Sequence, residues 1–232
     1  MEIGHLRLLN AERRARRAAI LATDLSAGKG WIIREDDRLP DDLAEPVLQA
    51  FRSGKSVTVE AGGRSVFLNV HVPPPRLVVI GAVHISQALA PMAAVAGYDM
   101  EIIDPRTAFA TEERFPGVPV HADWPETVLA ARPLDPYCAV AALTHDPKVD
   151  DHGLIAALAA GCFYVGALGS RKTHSRRLER LAAAGVAPEQ LARIRAPIGL
   201  PIHASSPAEI AVAVLGEVID AFRTPGELKA AP

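Results

Sequence analysis

The amino-acid sequence predicts an α/β protein in which a doubly wound parallel sheet follows a small α+β domain. Short apolar, β-branched runs alternate with segments of helical periodicity from residue 76 to residue 222, which is typical of parallel sheets covered by helices. The first of these runs ends in a glycine turn that leads into a helix. Three consecutive prolines, residues 73–75, form a stiff connector just before it and mark the best domain boundary.

The composition argues against several classes of protein. The chain has 232 residues, of which 49% are hydrophobic and 22% are charged, so it can bury a sizeable core. A net charge of −2 argues against nucleic acid as the main partner. Its apolar stretches are too short for a membrane span or a secretory signal, so we expect no membrane partner and a cytoplasmic location.

Only two cysteines occur, Cys138 and Cys162, and neither has a partner at metal-ligand spacing. Each is expected to open an apolar strand, which favours buried structural thiols and a reducing compartment. The sequence therefore predicts no metal site.

The N-terminal domain, residues 1–72, is expected to be a small α+β unit without a catalytic constellation. A strand pair is the clearest feature, because two alternating runs flank an Ala-Gly-Gly turn. In chain order the expected elements are a helix from Glu12 that runs into the apolar stretch towards Ala22, a strand at 31–33, an amphipathic helix at 43–51, and hairpin strands at 57–60 and 65–70.

The second domain, residues 73–232, begins with a pattern typical of dinucleotide-binding βαβ units. A strand at 76–80 leads into a turn that starts at Gly81, and the helix that follows ends before Gly97. Asp104 stands at the end of the next strand, 23 positions after Gly81. We therefore expect a Rossmann-like fold.

The glycine fingerprint of that fold is incomplete. In the pattern G-x-G-x-x-G, Val83 replaces the second glycine and Ser86 the third. The two methyl groups of a valine block the close approach of backbone to a pyrophosphate, whereas a serine still permits helix–strand packing. The sequence thus predicts the fold but only weak binding of NAD(P).

The remaining strands and helices alternate in the order that a parallel sheet requires. They are a short third strand near 118–120, a helix that starts around Pro125 and ends near Arg132, a fourth strand at 136–143, a helix capped by Asp150 and stopped by Gly161, a fifth strand at 162–165, a basic helix after Lys172, and a last helix from the capping box at 206–209 to Phe222.

Polar segments project beyond the carboxyl ends of these strands, where such sheets bind ligands. Asp104 is expected to accept hydrogen bonds from a ribose or pterin edge; the alternative is a loop carboxylate paired with Arg106. His84 either donates to an anion or caps the following helix. For His145 and Asp146 we expect a substrate-lining or structural role, because two adjacent side chains rarely bind a metal alone.

The segment 169–172 combines a turn, a helix N-terminus and two cations, which suits a phosphate. We expect its serine and its arginine to bind that phosphate, and the later Arg176, Arg177 and Arg180 to form a solvated basic face. The candidate cofactor-binding residues are Gly81, Val83, His84, Ser86, Asp104, Arg106, His145, Asp146, Gly169, Ser170 and Arg171.

Several motifs occur in order along the second domain: PPPRL at 73–77 followed by GAVH at 81–84, IDPR at 103–106, ATEERFP at 110–116, LTHDP at 143–147, GALGSRKTH at 166–174 and PIGL at 197–200. Together they resemble the XdhC/CoxI family, accessory proteins of xanthine dehydrogenase and related molybdenum hydroxylases. The chain departs from the family's pattern at Val83, where the family has glycine, and in residues 1–72, which lack the family's cysteine-bearing segment.

The resemblance implies a maturation factor rather than an enzyme. Such a protein binds the molybdenum cofactor (molybdopterin), supports its sulfuration and assists its insertion into an apo molybdenum hydroxylase. A sulfur-donating desulfurase and a second copy of the chain, as a homodimer, are the other expected partners. The alternatives are an NAD(P)-dependent oxidoreductase, against which Val83 argues, and a catalytically silent assembly protein.

Overall fold

The computed structural model describes residues 2–224, which divide into two units between Pro73 and Pro74. The first unit contains an antiparallel sheet with the strand order β2-β1-β4-β3 and two helices. Its elements are α1 (Ile3–Arg14), β1 (Ala19–Asp24), β2 (Gly30–Arg34), α2 (Asp41–Ser53), β3 (Val57–Ala61) and β4 (Arg64–His71). The predicted hairpin and the amphipathic helix are present.

The prediction for residues 12–22 is wrong. Helix α1 begins earlier, at Ile3, and ends at Arg14, and Arg16 then adopts a left-handed backbone conformation with φ 53°. The apolar residues from Ala19 onward form β1, which pairs with β2 on one side and β4 on the other. A short apolar run fits a buried helix and a central strand equally well, and here the strand is favoured because both of its edges are paired.

The second unit alternates strands and helices. Its elements are β5 (Arg76–Ile80), α3 (His84–Val95), β6 (Asp99–Ile103), β7 (Val120–His121), α4 (Pro125–Ala131), β8 (Cys138–Ala142), α5 (Pro147–Ala159), β9 (Tyr164–Ala167), α6 (Arg171–Ala183), α7 (Pro188–Leu191), β10 (Ile194–Arg195) and α8 (Pro207–Arg223). The short α7 and β10 had no counterpart in the sequence-based prediction.

The strands of the second unit form one parallel sheet in the order β10-β9-β8-β5-β6-β7. When the strands β5 to β10 are numbered 1 to 6, the order that starts at β7 is 3-2-1-4-5-6. This is the strand order of Rossmann folds. The direction of winding reverses between β5 and β8, so the loops after these two strands flank a crevice. The predicted Rossmann-like fold is confirmed.

Two hydrophobic cores cover the two faces of this sheet. Leu77 and Val79 of β5 pack with α3 and α8, whereas Val78 and Ile80 pack with α4, α5 and α6. This alternation explains why β5 is apolar throughout, since both of its faces are buried. Among residues 2–224, no helix is long and apolar enough to cross a lipid bilayer.

Two local predictions need correction. The N-cap of α5 is Asp146, whose side chain accepts a hydrogen bond from the amide of Lys148, whereas Asp150 lies in the first turn and is buried. Cys162 does not open a strand, because β9 begins two residues later at Tyr164. Both cysteines are nevertheless buried free thiols, as predicted.

Candidate functional site

The glycine turn after β5 contacts the loop after β8. Gly81 has φ 121°, and a Cβ added there would lie 2.9 Å from Cγ2 and 3.3 Å from the amide nitrogen of Thr144. A side chain at position 81 would therefore be strained and would separate the two loops. Gly81 thus brings together the loops on either side of the crevice where this fold binds ligands.

A buried hydrogen bond holds the first turn of α3 against the glycine turn. The Ser86 hydroxyl is buried and donates to the carbonyl of Gly81, so this serine ties the helix to the glycine turn. Val83 is the N-cap, with an extended backbone and no side-chain capping bond, and it packs partly against the core. His84 is exposed at the first helical position. Ligand binding by His84 stays a prediction.

Asp104 lies directly after β6 with a fully buried side chain. Its Oδ2 accepts from the amide of Ala82 and from Nη2 of Arg106, each at 2.7 Å, and its Oδ1 accepts from the amide and Nε of Arg106, each at 2.9 Å. Burial opposes ionisation, but these bonds outweigh it and lower the pKa of Asp104. The geometry matches the alternative role, a carboxylate paired with Arg106; ribose or pterin binding stays a prediction.

Two arginines surround this carboxylate and the glycine turn. Arg106 is 40% exposed and lies 4.9 Å from the ring centroid of Phe109, so it is the part of the ion pair that a ligand can reach. Arg114 donates through Nη1 to the carbonyls of Ala82 and Phe109, at 2.9 and 2.7 Å. Our sequence interpretation missed Arg114 as a site residue, although it lies inside the ATEERFP motif.

The loop after β8 is organised by a buried carboxylate. Asp150 accepts from the hydroxyl and amide of Thr144, at 2.7 and 3.3 Å, and from the amide of His145 at 3.1 Å. Its burial raises the pKa of its side chain despite these bonds. His145, with a left-handed φ of 64°, and Asp146 are exposed at the surface of this loop. Their lining role stays a prediction.

The second glycine turn begins α6. Gly169 has φ 136°, and an added Cβ would lie 3.1 Å from Cγ2 of Thr173, so the turn requires glycine. Ser170 is the N-cap, and its hydroxyl accepts from the Thr173 amide at 3.3 Å. Arg171 is exposed at the first helical position. A role of Ser170 and Arg171 in phosphate binding stays a prediction.

The prediction of a fully solvated basic face on α6 is wrong for Arg177. Arg177 is only 2% exposed, and its Nη2 donates to the carbonyl of Leu168 at 2.8 Å. Its Nε and Nη1 are buried and have no hydrogen-bond partner in the part of the chain that the structure describes. Arg176 is exposed as predicted, and Arg180 forms a two-bond ion pair with Asp151.

The strand order, the two glycine turns and the polar loops at the carboxyl edge define a Rossmann-type ligand-binding domain. Residues 77–218 match the family model described as the XdhC Rossmann domain, and the chain belongs to this family. This confirms the resemblance carried by the sequence motifs. Within the described range 2–224, no three His, Cys, Asp or Glu side chains are grouped as metal ligands.

Three curated relatives are similar over much of the chain. It is 34% identical over 174 residues to the uncharacterized protein YqeB of Escherichia coli (74% of this chain, 32% of the relative). It is 35% identical over 146 residues to the molybdenum cofactor insertion chaperone PaoD of Escherichia coli (63% and 40%). It is 31% identical over 156 residues to a probable xanthine dehydrogenase subunit of Bacillus subtilis (67% and 45%). The chain thus spans less than half the length of these relatives.

A solved structure shares the architecture. A protein described as a xanthine dehydrogenase from Bacillus halodurans superposes with a TM-score of 0.65, covering 99% of this chain and 66% of the other, at 21% identity. At this identity the likeness concerns the fold alone.

Proposed function

We propose that the chain is a maturation factor that binds the molybdenum cofactor, supports its sulfuration and assists its insertion into an apo molybdenum hydroxylase of the xanthine dehydrogenase type. The observation that carries this proposal is membership of the XdhC Rossmann-domain family across residues 77–218. A relative with 35% identity, described as a molybdenum cofactor insertion chaperone, supports the same cargo. We further propose that the chain acts in the cytoplasm as a homodimer.

Exposed cations and hydrogen-bond donors around the crevice support an anionic cargo. Arg106 is reachable beside Asp104, His84 is exposed at the start of α3, and Arg171 is exposed at the start of α6. Helix N-termini carry unpaired amides and a partial positive charge, so both helices add to the attraction of a phosphate. In this proposal the remaining loop residues, including His145 and Asp146, line the cargo.

Replacing Arg171 with alanine should weaken cargo binding by about 1.5–3 kcal/mol, because hydrogen bonds to charged groups contribute in that range. Equilibrium titration of the purified protein with molybdopterin measures the effect. Arg52→Ala, which removes an exposed arginine from α2, is the control and should leave binding unchanged. If the Arg171 and Arg52 variants bind molybdopterin with equal affinity, the phosphate of the cargo binds elsewhere on the chain.

Weak binding of a dinucleotide is the second expected result. Val83 at the N-cap of α3 hinders the approach of a pyrophosphate, and the oxygens of Asp104 are occupied by Ala82 and Arg106. Val83→Gly should tighten NADH binding, measured by calorimetry. Sub-micromolar NADH binding by the unaltered protein would contradict this expectation and favour the oxidoreductase alternative.

Sulfur for the cofactor would come from another protein, a sulfur-donating desulfurase. Cys138 is the first residue of β8, and Cys162 precedes β9, so both thiols lie at the amino ends of strands, opposite the edge that carries the crevice. Both are fully buried, and hydrogen bonding to Cys138 together with burial raises the pKa of Cys162, which disfavours its thiolate.

The Cys138→Ala/Cys162→Ala double variant should therefore support sulfuration as well as the original chain does. The measurement is the sulfurated fraction of a hydroxylase matured with either version, compared at equal amounts of folded protein. A variant that folds but yields an unsulfurated hydroxylase would show that these thiols take part.

Cargo binding is tested by expressing the chain in two matched strains, one that makes molybdopterin and one that cannot. After purification and denaturation, the released pterin is measured by fluorescence and the metal by mass spectrometry. Stoichiometric pterin from the first strain and none from the second is expected. Absence of pterin from both preparations, together with no binding on addition of the cofactor, would contradict the proposal.

A further inference from the structure

A cavity of about 370 Å³ lies between α5 and α6, next to the loop after β8. This volume falls within the range of small-molecule sites, about 300–1,000 Å³. Its charged lining consists of Asp150, Asp151, Lys172, Arg176, Arg177 and Arg180. Ser170 and Arg171, the predicted phosphate ligands, do not line it.

Arg177 is the unusual member of this lining. Within residues 2–224, two of its guanidinium nitrogens, Nε and Nη1, are buried without a hydrogen-bond partner, while Nη2 donates to the carbonyl of Leu168. Among residues 2–224, no carboxylate lies within ion-pair distance of this guanidinium. The charges of Asp150 and Asp151 favour the ionised guanidinium from beyond ion-pair distance, but its burial outweighs them. An anion in direct contact with Arg177 inside the cavity would therefore stabilise the charged group further.

The other charges of the cavity leave an excess of positive charge. The Asp151 carboxylate is neutralised by Arg180, which donates two hydrogen bonds at 2.8 and 3.0 Å. The Asp150 carboxylate accepts hydrogen bonds from Thr144 and His145 in the loop after β8, and its charge also acts on Arg177. Lys172 and Arg176 line the cavity as exposed cations. Three cations, including Arg177, are therefore opposed by one carboxylate.

From this geometry we propose that the cavity between α5 and α6 is a binding site for a phosphate-bearing small molecule. Arg177 anchors the phosphate from the buried side, and Lys172 and Arg176 bind it from the mouth. The cavity has room for a phosphate together with part of the molecule that carries it. Burial lowers the pKa of Arg177, and a bound anion would favour its charged form. This proposal can be tested without the molybdenum cofactor, because simple phosphates are sufficient to detect an anion site in the cavity.

To test this proposal, the intact chain is titrated with inorganic phosphate, pyrophosphate and glycerol 3-phosphate. Binding is measured by calorimetry and by the shift in the midpoint of thermal unfolding. Potassium chloride at equal ionic strength is the control for screening. We expect saturable binding and a raised unfolding midpoint with phosphates but not with chloride. Tighter binding of glycerol 3-phosphate than of inorganic phosphate indicates a monoester ligand, whereas preference for pyrophosphate indicates a diphosphate.

Variants assign the binding to this cavity. Lys172→Ala and Arg176→Ala change exposed side chains and should each weaken phosphate binding by about tenfold or more. Lys55→Ala and Arg52→Ala, in the first unit, are the charge-matched controls. Arg177→Met removes the buried charge at similar size, so it should abolish phosphate binding without lowering the unfolding midpoint in phosphate-free buffer.

If Arg177→Met does not fold, the two variants at the mouth of the cavity, Lys172→Ala and Arg176→Ala, are sufficient to test whether phosphate binds there. No saturable binding of any of the three phosphates, or equal binding by the cavity-mouth variants and their controls, would overturn the proposal. His145 lines this cavity and is also a predicted cargo-lining residue, so the variants separate the two proposals. Simple phosphates with Lys172→Ala and Arg176→Ala test the cavity, whereas molybdopterin with Arg171→Ala tests cargo binding in the crevice.

Discussion

Replacement of Glu101 by glutamine should lower the free energy of unfolding by about 3–5 kcal/mol, the range for breaking a buried ion pair. Glu101 lies in the middle of β6 and is buried, and its carboxylate pairs with Arg76 at 2.5 Å and with Arg132 at 2.8 Å. The substitution leaves the buried guanidinium of Arg76 with the more distant carboxylate of Asp135, 4.0 Å from its Nη1, as the counter-ion that the structure gives it. Urea denaturation followed by circular dichroism gives the free energy directly.

A double variant distinguishes the cost of leaving Arg76 as a poorly compensated buried charge from the cost of losing the Arg76–Glu101 contact. Arg76→Met/Glu101→Leu removes both charges, so it should be markedly more stable than Glu101→Gln alone. If Glu101→Gln loses less than about 1 kcal/mol, the pair is solvated and contributes little.

The same carboxylate makes the protein sensitive to acid. Burial opposes ionisation of Glu101, but the hydrogen bond and charge of Arg76 outweigh it and lower its pKa. The stabilisation is therefore complete above the pKa of an unfolded glutamate, about 4.3, and is lost as the pH falls through the lower folded value. Glu101→Gln should flatten the stability profile below about pH 4.

Asp104→Ala should have the next largest effect, a loss of about 2–4 kcal/mol. It removes the acceptor of the buried Ala82 amide and the bond to Arg106 that fixes the loop after β6. Because Arg106 is partly exposed, its charge can be solvated, so the loss should be smaller than that of Glu101→Gln. Chemical denaturation at pH 7 measures the difference.

Asp146→Ala is the matched control for Asp104→Ala. Asp146 is another aspartate at the carboxyl edge, but it is exposed and its side chain caps α5, so its replacement should cost about 1 kcal/mol of stability. Equal effects of the two substitutions would contradict the structural role of Asp104. A folded Asp104→Ala that has lost cargo binding would instead support the predicted contact with the ligand.

The doubly wound fold could be predicted because its signals are local and repeated. Strands β5 and β8 are buried on both faces, Gly97 and Gly161 end helices α3 and α5, and the capping box of Ser206 opens α8. Strand β1 could not be predicted, because its apolar run fits a buried helix equally well until the pairing with β2 and β4 is known.

The sequence-based prediction of the site residues did not include the direction in which each side chain points. Asp104 occupies the position at which this fold binds a ribose, yet its oxygens face the amide of Ala82, 22 residues earlier in the chain. Arg177 looked like part of a solvated basic face. The sequence signal that could have found it was its spacing of four residues from Leu181, which is buried on the same side of α6.

The most direct test of the proposed maturation role measures the cofactor content of a molybdenum hydroxylase from cells with and without this chain. Without it, we expect hydroxylase polypeptide at an unchanged level but with low activity and with incomplete or unsulfurated cofactor. Re-expression of the original chain should restore molybdenum content and activity. A fully active and fully loaded hydroxylase from the cells that lack the chain would contradict the maturation role.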